Sequence, residues 1–118
     1  MQISTVTHSD GLISVSAAGK ITQSEVSPFR EPLGDELGSA CYSRTVLLNL
    51  HDVTMIDSCG VSWLLVCQKR FRNAGGQLIL HSMSPIVSNV LKVLNMHSVF
   101  KMADNEQHAL EMLKGSAP

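Results

Sequence analysis

The residues best placed to do chemistry are Asp57-Ser58-Cys59-Gly60, a carboxylate, a hydroxyl and a thiol in immediate succession. Three kinds of chemistry could use them. A thiol at the N-terminus of a helix can be activated by the dipole. A serine there can act as a nucleophile or cap the helix. A carboxylate can act as an acid or simply cap the helix. The bland readings compete at each position. Nothing basic lies near Cys59 in sequence, which favours a thiol that only packs. Asp57 reads first as a cap or turn former, and Ser58 as an N-cap before it reads as a nucleophile. Trp63 lies four residues beyond Cys59, on the same helix face if the segment is helical. It either covers the outside of the turn as a partly exposed partner anchor or packs against a neighbouring helix.

The segments that must position this tetrapeptide are clear. Thr45-Val46-Leu47-Leu48-Asn49-Leu50 is a short branched run, suited to a strand buried on both faces, over 45–50. Val61 to Phe71 lacks proline and leads to Asn73-Ala74-Gly75-Gly76, so a helix is predicted over 58–74. The stripe Leu64, Cys67 and Phe71 should meet the sheet. A small-residue turn between a buried strand and a helix is where α/β sheets keep their sites.

The rest of the chain follows the same alternation. Met1 to Ala18 reads as a hairpin turning at His8-Ser9-Asp10-Gly11 and closed by Gly19-Lys20-Ile21-Thr22. Pro28 and Pro32 cannot share a helix interior, so a turn and then a short helix from near Pro32 to near Gly38 are predicted. A strand over 77–80 precedes Ser84-Pro85, an N-cap with proline at the first helical position, and a helix over 85–94. Asn95 stands where a left-handed C-cap residue belongs. A last strand over 99–102 leads to Asp104 and Gln107, a capping-box-like start for a helix over 105–114 that buries Ala109, Leu110 and Leu113. The fold class is therefore α/β, one domain over 1–118, with a mixed, mostly parallel sheet, one antiparallel hairpin and a frayed tail over 115–118.

Composition narrows the function. A chain of 118 residues with 44% hydrophobic and 16% charged residues should fold, around a largely aliphatic core because only 4% are aromatic. Net charge is −1, and no face gathers enough Lys and Arg to make nucleic acid the main partner. Lys69, Arg70 and Arg72 cluster, but in the last turns of a helix, where the dipole favours cations. No run is long enough to cross a membrane and no signal-peptide pattern opens the chain, so a cytoplasmic protein is expected. Cys41, Cys59 and Cys67 make no CxxC pair, and Cys59 and Cys67 on one helix would stand roughly 12 Å apart. A phosphate-binding P-loop fails at Ser14 and Ile21 around Gly19-Lys20. The loop of cysteine-dependent phosphatases would need Arg where Leu65 stands. His8, His51, His81, His97 and His108 fall in different elements without metal-ligand spacing, and no cofactor is called for.

With these segments placed, the chain resembles a STAS domain, the family shared by anti-sigma factor antagonists and sulfate transporter tails. The match runs from about Gly19-Lys20-Ile21-Thr22 to Ala109-Leu110. Its specific part is Val46 to Leu50 followed by Val53-Thr54-Met55-Ile56-Asp57-Ser58-Cys59-Gly60, with Ala74-Gly75-Gly76-Gln77-Leu78 and Leu91 to Phe100 at the family's spacing. The resemblance implies helices mainly on one face of a mixed sheet, and a role in partner switching. In that scheme the unmodified antagonist binds an anti-sigma factor that is also a serine kinase, which releases the sigma factor. Phosphorylation of a serine at the helix start then ends the binding.

This chain departs from the family at that serine. The family runs Asp-Ser-Ser-Gly, and Cys59 replaces the second serine, which ordinary serine kinases would not modify. Ser58 remains as a substitute acceptor, expected to cap the helix and point inward. Asn95 replaces a usual glycine. The expected function is a non-enzymatic, anti-sigma factor antagonist-like binding module in transcription regulation, with an altered or lost phospho-switch. Its partner surface would comprise Asp57, Ser58, Cys59, Ser62, Trp63 and Thr22, the last within an irregular Thr22–Arg30 loop. Two alternatives stand beside it: an accessory subunit of a lipid-transport ATPase, a STAS class that also lacks the acceptor serine, and a redox sensor or enzyme that depends on Cys59.

Overall fold

The computed structural model describes residues 2–9, 12–26, 32–96 and 98–115. Two strands open the chain, β1 (Gln2–Ser9) and β2 (Leu12–Ile21), paired antiparallel. A short helix, α1 (Pro32–Leu37), and a 3-10 turn (Ser39–Ser43) follow. Strand and helix then alternate: β3 (Thr45–Ile56), α2 (Ser58–Asn73), β4 (Gln77–His81), α3 (Pro85–Val93), β5 (Lys101–Ala103) and α4 (Glu106–Gly115). The sheet order is β1-β2-β3-β4-β5, parallel from β2 onward. This is the predicted α/β architecture with one antiparallel hairpin. The hairpin's tip at Asp10-Gly11, Pro28 and the end of the tail at 116–118 lie outside the described residues.

The two faces of the sheet are read off the strand alternation. Val46, Leu48 and Leu50 of β3, with Leu78 and Leu80 of β4, join Leu64, Cys67 and Phe71 of α2 and Val87 and Leu91 of α3 in the larger core. Leu33 of α1 packs there too. Leu47 and Ile79 point the other way and meet Ala103 and Ala109, with Leu110 and Leu113 of α4 packed around them. The first half of β3 is thus buried on both faces, as its largely apolar run implied.

The helix ends follow from single residues. In α2, Gly75 takes φ 88°, the Gly76 N–H donates to Phe71 O at 2.8 Å, and the Gly75 N–H donates to Arg72 O at 3.3 Å. That pair of bonds is a Schellman closure, which needs a left-handed residue. α3 closes the same way around Asn95 (φ 58°), with Met96 N–H to Leu91 O at 2.7 Å. Asparagine fills the left-handed position that glycine would otherwise take.

Several boundaries differ from expectation. β3 does not end at Leu50; it runs on to Ile56 because β2 keeps pairing with it through Ile21. The extension is hard to see in sequence, since His51, Asp52, Thr54 and Met55 are exposed and only Val53 and Ile56 turn inward. The last strand is Lys101–Ala103 rather than 99–102, because Val99 is held in a turn by Met96 O. Asn105, not Asp104, caps α4: its Oδ1 accepts from the His108 N–H at 2.8 Å, and His108 Nδ1 accepts from the Asp104 N–H at 3.0 Å. The side-chain cap thus sits one residue later than predicted, and the return bond from His108 goes to the N–H of Asp104, the residue before the cap.

Candidate functional site

The turn between β3 and α2 is built on Asp57. Its backbone is extended (φ −113°, ψ −176°), which makes it the N-cap of α2. Oδ1 accepts from the Gly60 N–H at 2.9 Å, satisfying one of the orphan donors of the first turn. Oδ2 accepts from the Gln23 N–H at 3.1 Å, across a loop far away in sequence. The Asp57 N–H in turn donates to Ile21 O at 3.3 Å. One aspartate therefore ties three pieces together: the end of β2, the loop that follows it and the start of α2.

Gly60 completes the turn by having no side chain. A Cβ there would overlap the Ile21 carbonyl oxygen and lie 2.8 Å from Ile56 Cγ1. The helix start can approach the end of β2 this closely only with glycine. Beside it, Thr22 closes its own turn: the Glu25 and Val26 N–H groups both donate to Thr22 O. Its hydroxyl lies 3.2 Å from Ser24 Oγ.

The predicted site residues divide sharply. Ser58, Cys59 and Ser62 are exposed on the first turns of α2, with Asp57 and Thr22 half-buried beside them. Cys59 is an exposed thiol outside any disulfide, whereas Cys41 and Cys67 are buried, also outside any disulfide. Two expectations are corrected. Ser58 is not the cap and does not turn inward; Asp57 holds the capping bond, and Ser58 is the exposed first residue of the helix. Trp63 is not a partly exposed anchor; it is only 6% exposed and belongs to the larger core. The buried arc of α2 runs through Gly60, Val61, Trp63, Leu64, Cys67 and Phe71, wide enough to take in Trp63 as well as the expected stripe.

Two features of this surface were not foreseen. Gln23 reaches Asp57 through its backbone N–H, so no residue type signalled it. Met55, 45% exposed two residues before Asp57, adds an apolar side chain near the polar turn. A cleft of about 230 Å³ lies elsewhere, lined by Gln68, Arg72, Gln77 and Lys101 near the starts of β4 and β5.

The exposed helix start, the aspartate cap and the mixed sheet together define a family. The STAS domain model matches residues 4–109, and the chain belongs to the STAS domain family. Among curated relatives it is 24% identical to BtrV of Bordetella bronchiseptica, a protein assigned as an anti-sigma factor antagonist, over 92% of each chain. Among solved structures it is similar to the Thermotoga maritima protein TM1081, assigned to the same class, with a TM-score of 0.78, 23% identity and 92% of each chain covered. It is also similar to SpoIIAA, an anti-sigma factor antagonist. The unphosphorylated form gives a TM-score of 0.71 at 18% identity, covering 99% of this chain and 100% of that one. The phosphorylated Bacillus form gives 0.63 at 17%, covering 95% and 99%. No helix among the described residues is long and apolar enough to cross a membrane.

Proposed function

We propose that this chain is a partner-switching binding module of the anti-sigma factor antagonist type, and not an enzyme. Its partner would be an anti-sigma factor with serine-kinase activity, docking on the Asp57 turn through Ser58, Cys59, Ser62 and Thr22. The observation that carries the reading is the exposure of Cys59 on the first turn of α2, beside a capping aspartate whose two oxygens are already engaged by backbone N–H groups. Asp57 is held as architecture, and the residues after it are left for a partner. Relatives assigned as antagonists, one of them solved in phosphorylated and unphosphorylated forms, support the same reading.

In this proposal the phospho-switch is altered because a thiol occupies the acceptor position. A phosphate on the first turn would add about −1.5 to −2 charge where the helix dipole tolerates an anion. Its effect would fall on the partner's contact surface and leave the fold intact. The test is to bind the chain to a kinase-type anti-sigma factor, add ATP, and read intact mass and mapped peptides. The wild-type chain should bind and gain no phosphate on this turn, and Cys59→Ser should gain one at position 59 and lose affinity. A phosphate on Ser58 of the wild type would overturn the altered switch, since Ser58 is exposed. Failure of Ser62→Arg to weaken binding would move the docking surface elsewhere.

A further inference from the structure

The sheet has two edges, and they are protected very differently. β5 is three residues long and carries Lys101, whose Nζ reaches Gln77 Oε1 at 2.9 Å. Short length and a lysine are two common ways of blunting an edge. β1 is eight residues long, Gln-Ile-Ser-Thr-Val-Thr-His-Ser, with no Asp, Glu, Lys, Arg, Pro or Gly. Among the described residues β2 is its one strand partner, so its other side presents a row of backbone donors and acceptors. Ile3, Thr5, Val6 and Thr7 are residue types that favour extended pairing. Its pairing with β2 carries an irregularity in register between Thr5 and Thr7, where Val6 stands 66% exposed.

We propose that β1 is an association edge for a second copy of this chain, joined by antiparallel β1–β1 pairing about a two-fold axis. The sheet would then run continuously through five strands of each copy. The chemistry of the strand selects this occupant. Two-fold pairing sets a strand against itself, so each side chain faces residues of the same strand in the partner copy. A charged edge would repel its own copy there. β1 carries no carboxylate, ammonium or guanidinium group, and offers threonine, serine and valine, which pair well across strands. The whole chain carries a net charge of only −1, so repulsion between copies at a distance is weak. The inference does not depend on the Asp57 turn or on what docks there.

Sedimentation velocity of the full chain from micromolar to near-millimolar concentration tests it. The sedimenting mass should rise with concentration from the 12.8 kDa of one chain toward twice that value. Val6→Lys and Ser4→Lys both place an ammonium group at exposed positions of the edge. Each should raise the dissociation constant by about tenfold or more, with the thermal midpoint unchanged at concentrations where the wild-type chain is monomeric. A wild-type chain that stays monomeric throughout would overturn the proposal. So would two lysine variants that dimerise as tightly as wild type, since the copies would then be meeting on another face. Should either variant fold poorly, hydrogen exchange on the wild type decides: β1 amides facing away from β2 must exchange more slowly as concentration rises, and concentration-independent exchange refutes the pairing.

Discussion

Asp57 makes two separable bonds, and two substitutions should separate them. Asp57→Ala removes the cap on the Gly60 N–H and the tie to the Gln23 N–H together. Loss of an N-cap costs about 0.5–2 kcal/mol. Loss of a hydrogen bond to a charged acceptor adds about 1 kcal/mol at a half-exposed site. Removing negative charge from the helix N-terminus contributes a few tenths more. These terms overlap, so the expected loss is about 1.5–3 kcal/mol. Asp57→Asn is the informative partner. Asparagine caps about as well as aspartate, and its one carbonyl oxygen can keep the Gly60 bond. Its amide nitrogen then faces the Gln23 N–H, two donors that cannot pair. The asparagine variant should therefore lose only the Gln23 tie and part of the dipole term, about 0.5–1.5 kcal/mol. Urea unfolding at constant pH measures both, and the slope with denaturant should stay the same. If the two variants are equally destabilised, the cap carries no weight of its own. If alanine is neutral, Asp57 is not the structural hub described above.

Three further outcomes follow from burial and close approach. Trp63→Ala should cost about 3–5 kcal/mol in the same unfolding experiment, because it empties a large volume in the main core; a near-neutral result would return Trp63 to the surface. Gly60→Ala drives a methyl group into the Ile21 carbonyl and should cost about 1–3 kcal/mol or displace the loop end of β2, visible as lost protection of the Gln23 amide in hydrogen exchange. His81 is 3% exposed on β4, and its pKa is lowered from 6.5 chiefly by burial, with the nearby Glu106 charge opposing the shift. The unfolded chain therefore holds the extra proton more readily, so this contribution to stability is present above pH 6.5 and is lost as pH falls through the lower folded value. In His81→Gln the dependence of stability on pH below 6.5 should flatten, as read from urea midpoints across that range; an unchanged slope would assign it to other groups.

Much of the fold was legible because single residues carry decisive constraints. Val46 to Leu50 is short, branched and apolar but for Asn49, which suits a strand covered on both faces. Gly75 and Asn95 mark left-handed closures by type alone, and both helices end there. Legibility failed where two neighbouring residues could play the same part. Asp57 and Ser58 are both good caps, as are Asp104 and Asn105, and the choice depends on which backbone N–H lies within reach. It failed again for Trp63, whose burial depends on how wide an arc of α2 is covered, a property of the packed neighbours. The Asp57–Gln23 bond was beyond reach of any sequence pattern, since one partner is main chain.

The same geometry explains why the site can change its chemistry without losing its architecture. Within four consecutive positions, the two that the fold depends on are the first and the last. Asp57 supplies the capping carboxylate, and Gly60 supplies the missing Cβ that lets α2 approach β2. Ser58 and Cys59, between them, are exposed. An oxygen or a sulfur at position 59 therefore meets the same scaffold. Burial and packing ask little of that exposed position. On the proposed function, a hydroxyl there would suit a kinase that transfers phosphate to serine, and a thiol would withhold that acceptor while preserving nearly the same shape. In that proposal the difference between a switchable and an altered docking surface would rest on one exposed atom, on a turn held by an aspartate and a glycine.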